Sequence, residues 1–201
     1  MVGKNRRDEN AAATRLALLR TARRLFADHG YGESPTEEIV RRARVTRGAL
    51  YHHFRDKRDL FAAVLDEEQS KLAARAGEAA AAESDPWRAV IAASNAFLDA
   101  CLERTVQQIV LIDAPAVLGL EEWRKRDQAY LESVRALIRS AIAQGLIEDQ
   151  PVEPLAAVIF GALHEAAMLI ARASDKQAAR QSVSGAIERL FDGLRGRAGS
   201  G

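Results

Sequence analysis

Between Ser34 and Leu60 the chain packs Arg41, Arg42, Arg44 and Arg47 into one short stretch, followed closely by Tyr51, His52, His53 and Phe54. A guanidinium is a permanently charged planar fork of donors that fits phosphate oxygens or the O6 and N7 acceptors of guanine. The chemistry such a cluster offers is binding to nucleic acid. Arg47, placed to open a helix, is the expected base reader. Gly48 and Ala49 beside it add no bulk, so the helix N-terminus can approach closely, and its partial positive charge favours phosphate. Arg41 and Arg42 read as a solvated face. Lys4, Arg6 and Arg7 read either as a disordered tail or as an arm that enters the minor groove.

Bond-making chemistry finds little to work with. The adjacent His52 and His53 diverge by about 100° around a helix, so the pair does not grip one metal ion. His53 reads as a packing or capping residue and His52 as a surface donor to phosphate. Cys101 is the one cysteine, with no internal disulfide partner and no nucleophile–base pairing. No catalytic residue, metal or cofactor is expected.

The elements that must hold these groups are two short helices joined by a tight turn. Ser34 is placed to cap the first, Pro35 suits its first position, and Glu37 can close a capping box. Ile39 and Ala43 lie four apart on one face. Thr46 is placed to cap the second helix, on which Leu50 and Phe54 repeat that spacing. Little room remains between Ala43 and Thr46. This is a helix-turn-helix pattern, which rests one helix across phosphates and lays the other in the major groove. Upstream, Leu16, Leu19, Ala22 and Phe26 predict a helix from about Thr14 to His29, closed by Gly30 in a left-handed cap.

Ile39, Ala43, Val45, Thr46, Gly48, Ala49, Leu50, Tyr51, His53, Phe54, Lys57 and Leu60 together resemble the TetR-family DNA-binding signature, from Thr14 to about Val64. The resemblance implies that Thr36, Tyr51, His52 and Lys57 contact the DNA backbone, while Arg47, Gly48 and Tyr51 lie near bases. One position departs from it. Arg44 stands where the family usually has glycine, at a turn whose left-handed backbone costs an arginine energy. That departure either weakens the turn or adds a phosphate contact.

Charge divides along the chain. Residues 1–60 hold 14 Lys and Arg against 8 Asp and Glu, a balance of +6, and residues 61–201 hold 15 against 20, a balance of −5. One end suits a polyanion and the other does not. We therefore expect a DNA-binding domain at 1–60; the resemblance implies an effector-binding and dimerisation domain at 61–195, and a disordered tail is expected at 196–201.

The fold expected is all-α, about nine helices. Asp56 caps a helix that buries Leu60, Phe61, Val64 and Leu65 before an alanine-rich run. Others run from Pro86 to about Arg104, onward to Asp113, from about Leu120 to Ala143, from about Leu155 to Ala173, and from about Lys176 to Leu194, with Ala114 and Pro115 as a break. The apolar window 155–170 reads as too short and interrupted to cross a membrane, and MVGKNRRDEN lacks an apolar leader stretch, so a cytoplasmic location is expected.

Single helix-turn-helix units read few base pairs, so a homodimer is expected, formed by the last two helices. Gly161, Ala162, Ala166 and Ala167 allow close approach on the penultimate helix, with Val158, Ile159, Leu163, Leu169 and Ile170 as apolar surface. The final helix offers Val183, Ile187, Leu190, Phe191 and Leu194. For a mostly apolar effector pocket the lining candidates are Phe97, Cys101, Ile109, Trp123, Tyr130, His164 and Met168, although Trp123 also reads as marking a helix end at the surface. The whole reads as a ligand-responsive regulator, a dimeric repressor that releases a near-palindromic operator when its effector binds. The alternative is a helical interaction protein with a degenerate head.

Overall fold

The computed structural model describes residues 2–126 and 128–195. The expected tail at 196–201 lies outside the described residues, as do the side chains of Lys4, Arg6 and Arg7. Among the described residues the chain is all-α, with no strand, ten α-helices and one π-helical segment. It divides into two compact units, the first made of residues up to Glu68 plus Arg104–Trp123, the second of Gln69–Glu103 and the residues from Arg124 onward. The first unit thus runs past residue 60 and adds a later segment to the head.

The head unit begins with α1, Val2–His29, longer than the spacing of apolar residues suggests. The alanines at 11–13 are strong helix formers and carry the helix back through the basic stretch. Its buried stripe is Leu18, Leu19, Ala22, Leu25 and Phe26. Leu16, expected inward, is exposed, because six residues of helix turn it about 120° away from Ala22. Gly30 ends the helix at φ +79°, and its N–H donates to the Phe26 carbonyl at 2.9 Å.

Next come α2, Thr36–Ala43, and α3, Arg47–His53, which bury Ile39 and Leu50 against α1. Ser34 does not cap α2. It is fully buried and donates to the Gly30 carbonyl at 2.7 Å, leaving Pro35 at the cap position. The following helix, α4, runs Lys57–Ala81, and Asp56 accepts the Asp59 N–H at 2.7 Å in its first turn. Phe61 stands edge-on to both Phe26 and Tyr31, with centroids at 5.4 and 5.2 Å.

Later in the chain, the π-helical segment Val106–Asp113 runs directly into α6, Ala114–Leu118. Pro115 therefore starts a helix where a break was expected, since a first-turn proline has no N–H to lose. The π-helical segment packs on α1 and buries Val106, Ile109 and Val110. Arg104 donates to the Ala27 and Asp28 carbonyls at 3.1 and 2.7 Å, and Asp113 accepts the Tyr31 N–H at 2.8 Å. The α1 C-terminus is thus held by residues some 80 positions away. Two helical runs, α7 Leu120–Arg126 and α8 Gln128–Ala143, flank Asp127.

The second unit is built on α5, Pro86–Ala100, with α8, α9, Val152–Arg172, and α10, Lys176–Asp192. Asp85 caps α5, accepting the N–H groups of Trp87 and Arg88 at 2.8 and 3.1 Å, and Asp175 caps α10. Trp87, Leu98, Ile138, Ile159, Leu163, Ile170 and Phe191 form the centre of its core. Arg180, nearly buried, satisfies its charge on Asp99 at 2.9 Å and on Asn95 at 3.1 Å.

Two expectations about α9 change. It starts at Val152 because Pro154 falls in the first turn, and this helix of 21 residues contains an 18-residue stretch of mean hydropathy 1.7, long and apolar enough to cross a membrane. Here one side of the helix packs on α5, α8 and α10. Of the residues read as contact surface, Ile159, Leu163, Ala166, Ala167 and Ile170 are buried in this unit's own core, as are Ile187 and Phe191 on α10. Val158, Leu169 and Leu190 are exposed, at 62%, 55% and 48%.

Arg44 gives the fold's one left-handed residue other than glycine among those described, at φ 57°, ψ 41°. Its N–H donates to the Arg41 carbonyl and that of Val45 to Val40, the paired bonds of a Schellman stop. Gly145 makes the same pair at the end of α8, through Gly145 to Ile142 and Leu146 to Ala141, with φ +68°. A left-handed Cβ costs about 1–2 kcal/mol, partly offset because glycine leaves the unfolded chain freer by about 0.5–1. Arg44→Gly should therefore stabilise the head by about 0.5–1 kcal/mol in urea unfolding. A loss of stability would show that the arginine side chain is what holds this turn.

Candidate nucleic-acid interface

Thr46 caps α3, accepting the Ala49 N–H at 3.1 Å, and this short bond fixes where the second helix starts. Arg47 and Gly48 follow in its first turn, both exposed. The Arg47 guanidinium lies over the Tyr51 ring at 5.6 Å and 3.8 Å from the Glu37 carboxylate, with 68% of its side chain open to solvent. Tyr51 is 43% exposed, one turn farther along. His52 is exposed as well, Ala49 is half-buried, and beyond the local helix backbone only the Thr46 hydroxyl, at 3.9 Å, approaches where a Gly48 Cβ would sit. Arg47, Gly48, Tyr51 and His52 are thus carried by one seven-residue helix whose buried side is Leu50. Thr36 opens α2, its hydroxyl donating to Glu37 at 3.2 Å, and Arg44 is exposed in the turn.

Lys57 sits differently from the rest. Its ammonium lies 4.2 Å above the Tyr31 ring and donates to the Gly32 carbonyl at 3.3 Å. Burial lowers its pKa from the ordinary lysine value, against the pull of Asp113 and Glu33. Arg41 and Arg42 both donate to Glu38, whose carboxyl is pushed down to about 2, chiefly by the Arg41 hydrogen bonds. The charge of that pair is partly spent inside the helix. The His52 and His53 rings meet edge-on at 5.2 Å, and burial, then His52 and Arg15, lowers the His53 pKa. Among the described residues no group of three or more His, Cys, Asp or Glu side chains is placed to hold a metal ion.

The effector candidates separate. Phe97 on α5 and Tyr130 on α8 come together at 6.5 Å, both half-buried, and Tyr130 meets Phe160 of α9 at 6.4 Å. His164 and Met168 follow on α9, also half-buried, and burial lowers the His164 pKa. Phe160 escaped the sequence reading, although Phe160, His164 and Met168 are spaced four apart and so share one helical face. Cys101 is fully buried at the end of α5, its thiol pushed up to about 12 by burial. Ile109 and Trp123 belong to the head unit, both buried, so Trp123 does not mark an exposed helix end.

Glu37 was legible only as a capping residue. Its nearness to Arg47 depends on how α2 and α3 cross, which no local spacing encodes.

Lys57→Ala should weaken binding to every DNA sequence alike and reduce the salt slope by about one, as removal of a phosphate contact does. Titrations of two unrelated duplexes at several salt concentrations check this. A loss confined to one sequence would give Lys57 a base-reading role instead.

Comparison with known proteins agrees with this geometry. The profile described as "Bacterial regulatory proteins, tetR family" matches residues 18–64, and "Tetracyclin repressor-like, C-terminal domain" matches residues 87–194. The crystal structure of a TetR-family transcriptional regulator from Pectobacterium atrosepticum superposes with a TM-score of 0.81 at 35% identity, covering 93% of this chain and 96% of that one. The Transposon Tn10 TetC protein of Escherichia coli is 26% identical over 150 residues, 75% of this chain and 74% of that protein. An HTH-type transcriptional repressor of Mycobacterium tuberculosis is 39% identical over 67 residues, 33% of this chain and 36% of that protein. With one profile over more than half its length and a solved relative over nearly all of it, this chain belongs to the TetR family of bacterial transcriptional regulators.

Proposed function

We propose that this regulator is a ligand-responsive repressor, a homodimer that holds a near-palindromic operator and releases it when a small, mostly apolar effector binds. The observation that carries the reading is α3 itself, capped by Thr46, anchored by Leu50, and presenting Arg47 and Tyr51 to solvent. Phosphate contacts by Thr36, Arg44, His52 and Lys57 would set its register, and close approach at Gly48 and Ala49 would bring Arg47 to base edges. The basic balance of residues 1–60 favours the encounter.

Dimerisation falls to the exposed side of α9 and α10. Val158, Leu169 and Leu190 offer apolar area there, and beyond its own stretch of helix Gly161 faces open space where a Cβ would sit. The effector site falls to the half-buried rings of Phe97 and Tyr130 with Phe160, and to His164 and Met168 on the same face of α9. Half-burial suits a surface that a ligand completes. By linkage, an effector that weakens operator binding must itself bind the operator complex more weakly by the same factor. Since operator DNA in a bacterium lies in the cytoplasm, this reading implies a cytoplasmic protein. No catalytic step or cofactor enters it.

A degenerate head is the rival reading, and Arg44 is its motive. The Schellman bonds around Arg44 are nevertheless made, which favours a working turn. The test is selection of bound sequences from a random DNA pool, then a salt titration on the winner. An enriched near-palindrome whose affinity falls steeply with salt supports a dimeric operator reader. A folded protein that enriches nothing overturns it.

A further inference from the structure

We propose that Glu37 is a positioning residue for base reading, setting the pose of the Arg47 guanidinium and thereby the sequence selectivity of the head. The inference rests on the DNA-reading function proposed above.

An arginine on a helix surface samples many rotamers, and freezing them on DNA costs entropy. Arg47 has two restraints against that sampling. The Tyr51 ring lies 5.6 Å below its guanidinium carbon, and the Glu37 carboxylate stands 3.8 Å from one terminal nitrogen. Glu37 is itself steadied by the Thr36 hydroxyl at 3.2 Å. The series Thr36, Glu37, Arg47, Tyr51 thus links the first turn of α2 to α3. Its neighbour Glu38 faces elsewhere and serves Arg41 and Arg42.

Stability does not explain this arrangement. Glu37 and Arg47 are 66% and 68% exposed, and an exposed ion pair adds little to folding. A carboxylate beside a DNA-reading arginine also repels phosphate, which weakens attachment to any sequence. That repulsion serves selectivity when the carboxylate aims the arginine, because specificity is a difference of two affinities. The two consequences carry opposite signs, which makes the role measurable.

The experiment compares binding to the selected operator and to an unrelated duplex for wild type, Glu37→Gln, Arg47→Ala and the double variant. Glu37→Gln should bind the unrelated duplex about two- to threefold more tightly, the scale of one screened surface charge. Its preference for the operator should fall about three- to tenfold, a part of what Arg47 itself supplies. In the Arg47→Ala background the same substitution should leave preference unchanged, since the residue acts through Arg47. Glu37→Asp retains the charge but shortens the reach, so it should lose preference without gaining general affinity. Equal gains on both duplexes would reduce Glu37 to a bystander charge, and an undiminished loss in the Arg47→Ala background would make its role independent of Arg47; either overturns the inference. Circular dichroism of each variant identifies any loss of folding. If wild type prefers no sequence, the DNA-reading function fails first and this inference with it.

Discussion

Arg47→Ala is expected to lower affinity for the selected operator by about 5- to 150-fold per half-site, equivalent to about 1–3 kcal/mol, while binding to unrelated DNA weakens only about two- to threefold, the scale of one screened surface charge. The side chain opens α3, is two-thirds exposed, and lies over Tyr51. Nothing in the head core depends on it, so the variant should fold as wild type does. A forked guanidinium that spans guanine O6 and N7 discriminates one base pair from the other three. Its loss should flatten preference at one position of each half-site and leave the others intact. Repeating the pool selection with the variant reads this directly, position by position. Uniform weakening on all sequences would place Arg47 on phosphate, and base reading would then fall to Tyr51 and its neighbours.

Trp87→Ala is expected to cost the second unit about 3–5 kcal/mol of stability, the scale of removing a fully buried large aromatic side chain. Trp87 has no exposed surface, stands edge-on to Phe191 at 5.5 Å, and donates its indole N–H to the Phe191 carbonyl at 3.3 Å. It therefore ties the first turn of α5 to the end of α10, both in packing and by a hydrogen bond across 104 residues. Trp87→Phe fills most of the volume but leaves that carbonyl without the indole, for about 1–3 kcal/mol. Urea unfolding followed by far-ultraviolet circular dichroism would rank the three proteins. A cost below about 1 kcal/mol for alanine would mean that α5 and α10 hold together without this ring. Operator binding should weaken with Trp87→Ala only as far as the dimer depends on α10.

The two variants also divide what was visible beforehand. Arg47 and its cap Thr46 were legible because capping and helical spacing act within four residues of chain. The Arg44 conformation was legible for a similar reason, since a turn that short needs a left-handed residue. Trp87 was not singled out. Its sequence neighbours announce a helix start, but the partner that makes it a keystone lies at Phe191. The ring cluster of the second unit is half legible. Phe97, Tyr130, His164 and Met168 stand out in the sequence, whereas Phe160 joins Tyr130 only once α8 and α9 pack, and Ile109 and Trp123 lie in the first unit.

By itself the sequence determined the all-α class, the helix-turn-helix with its Thr46 cap, the Gly30 stop, and the contrast between a basic head and an acidic remainder. These follow from short-range sterics, capping and composition, which need no knowledge of what lies across the fold. Only the tertiary structure decided that Ser34 is buried beneath Gly30, that Leu16 faces outward, and that Arg104–Trp123 completes the head. It also decided which apolar residues of α9 serve their own core and which remain exposed. A helix with apolar residues all round does not encode which side is taken, because that depends on partners distant in sequence whose packing settles together.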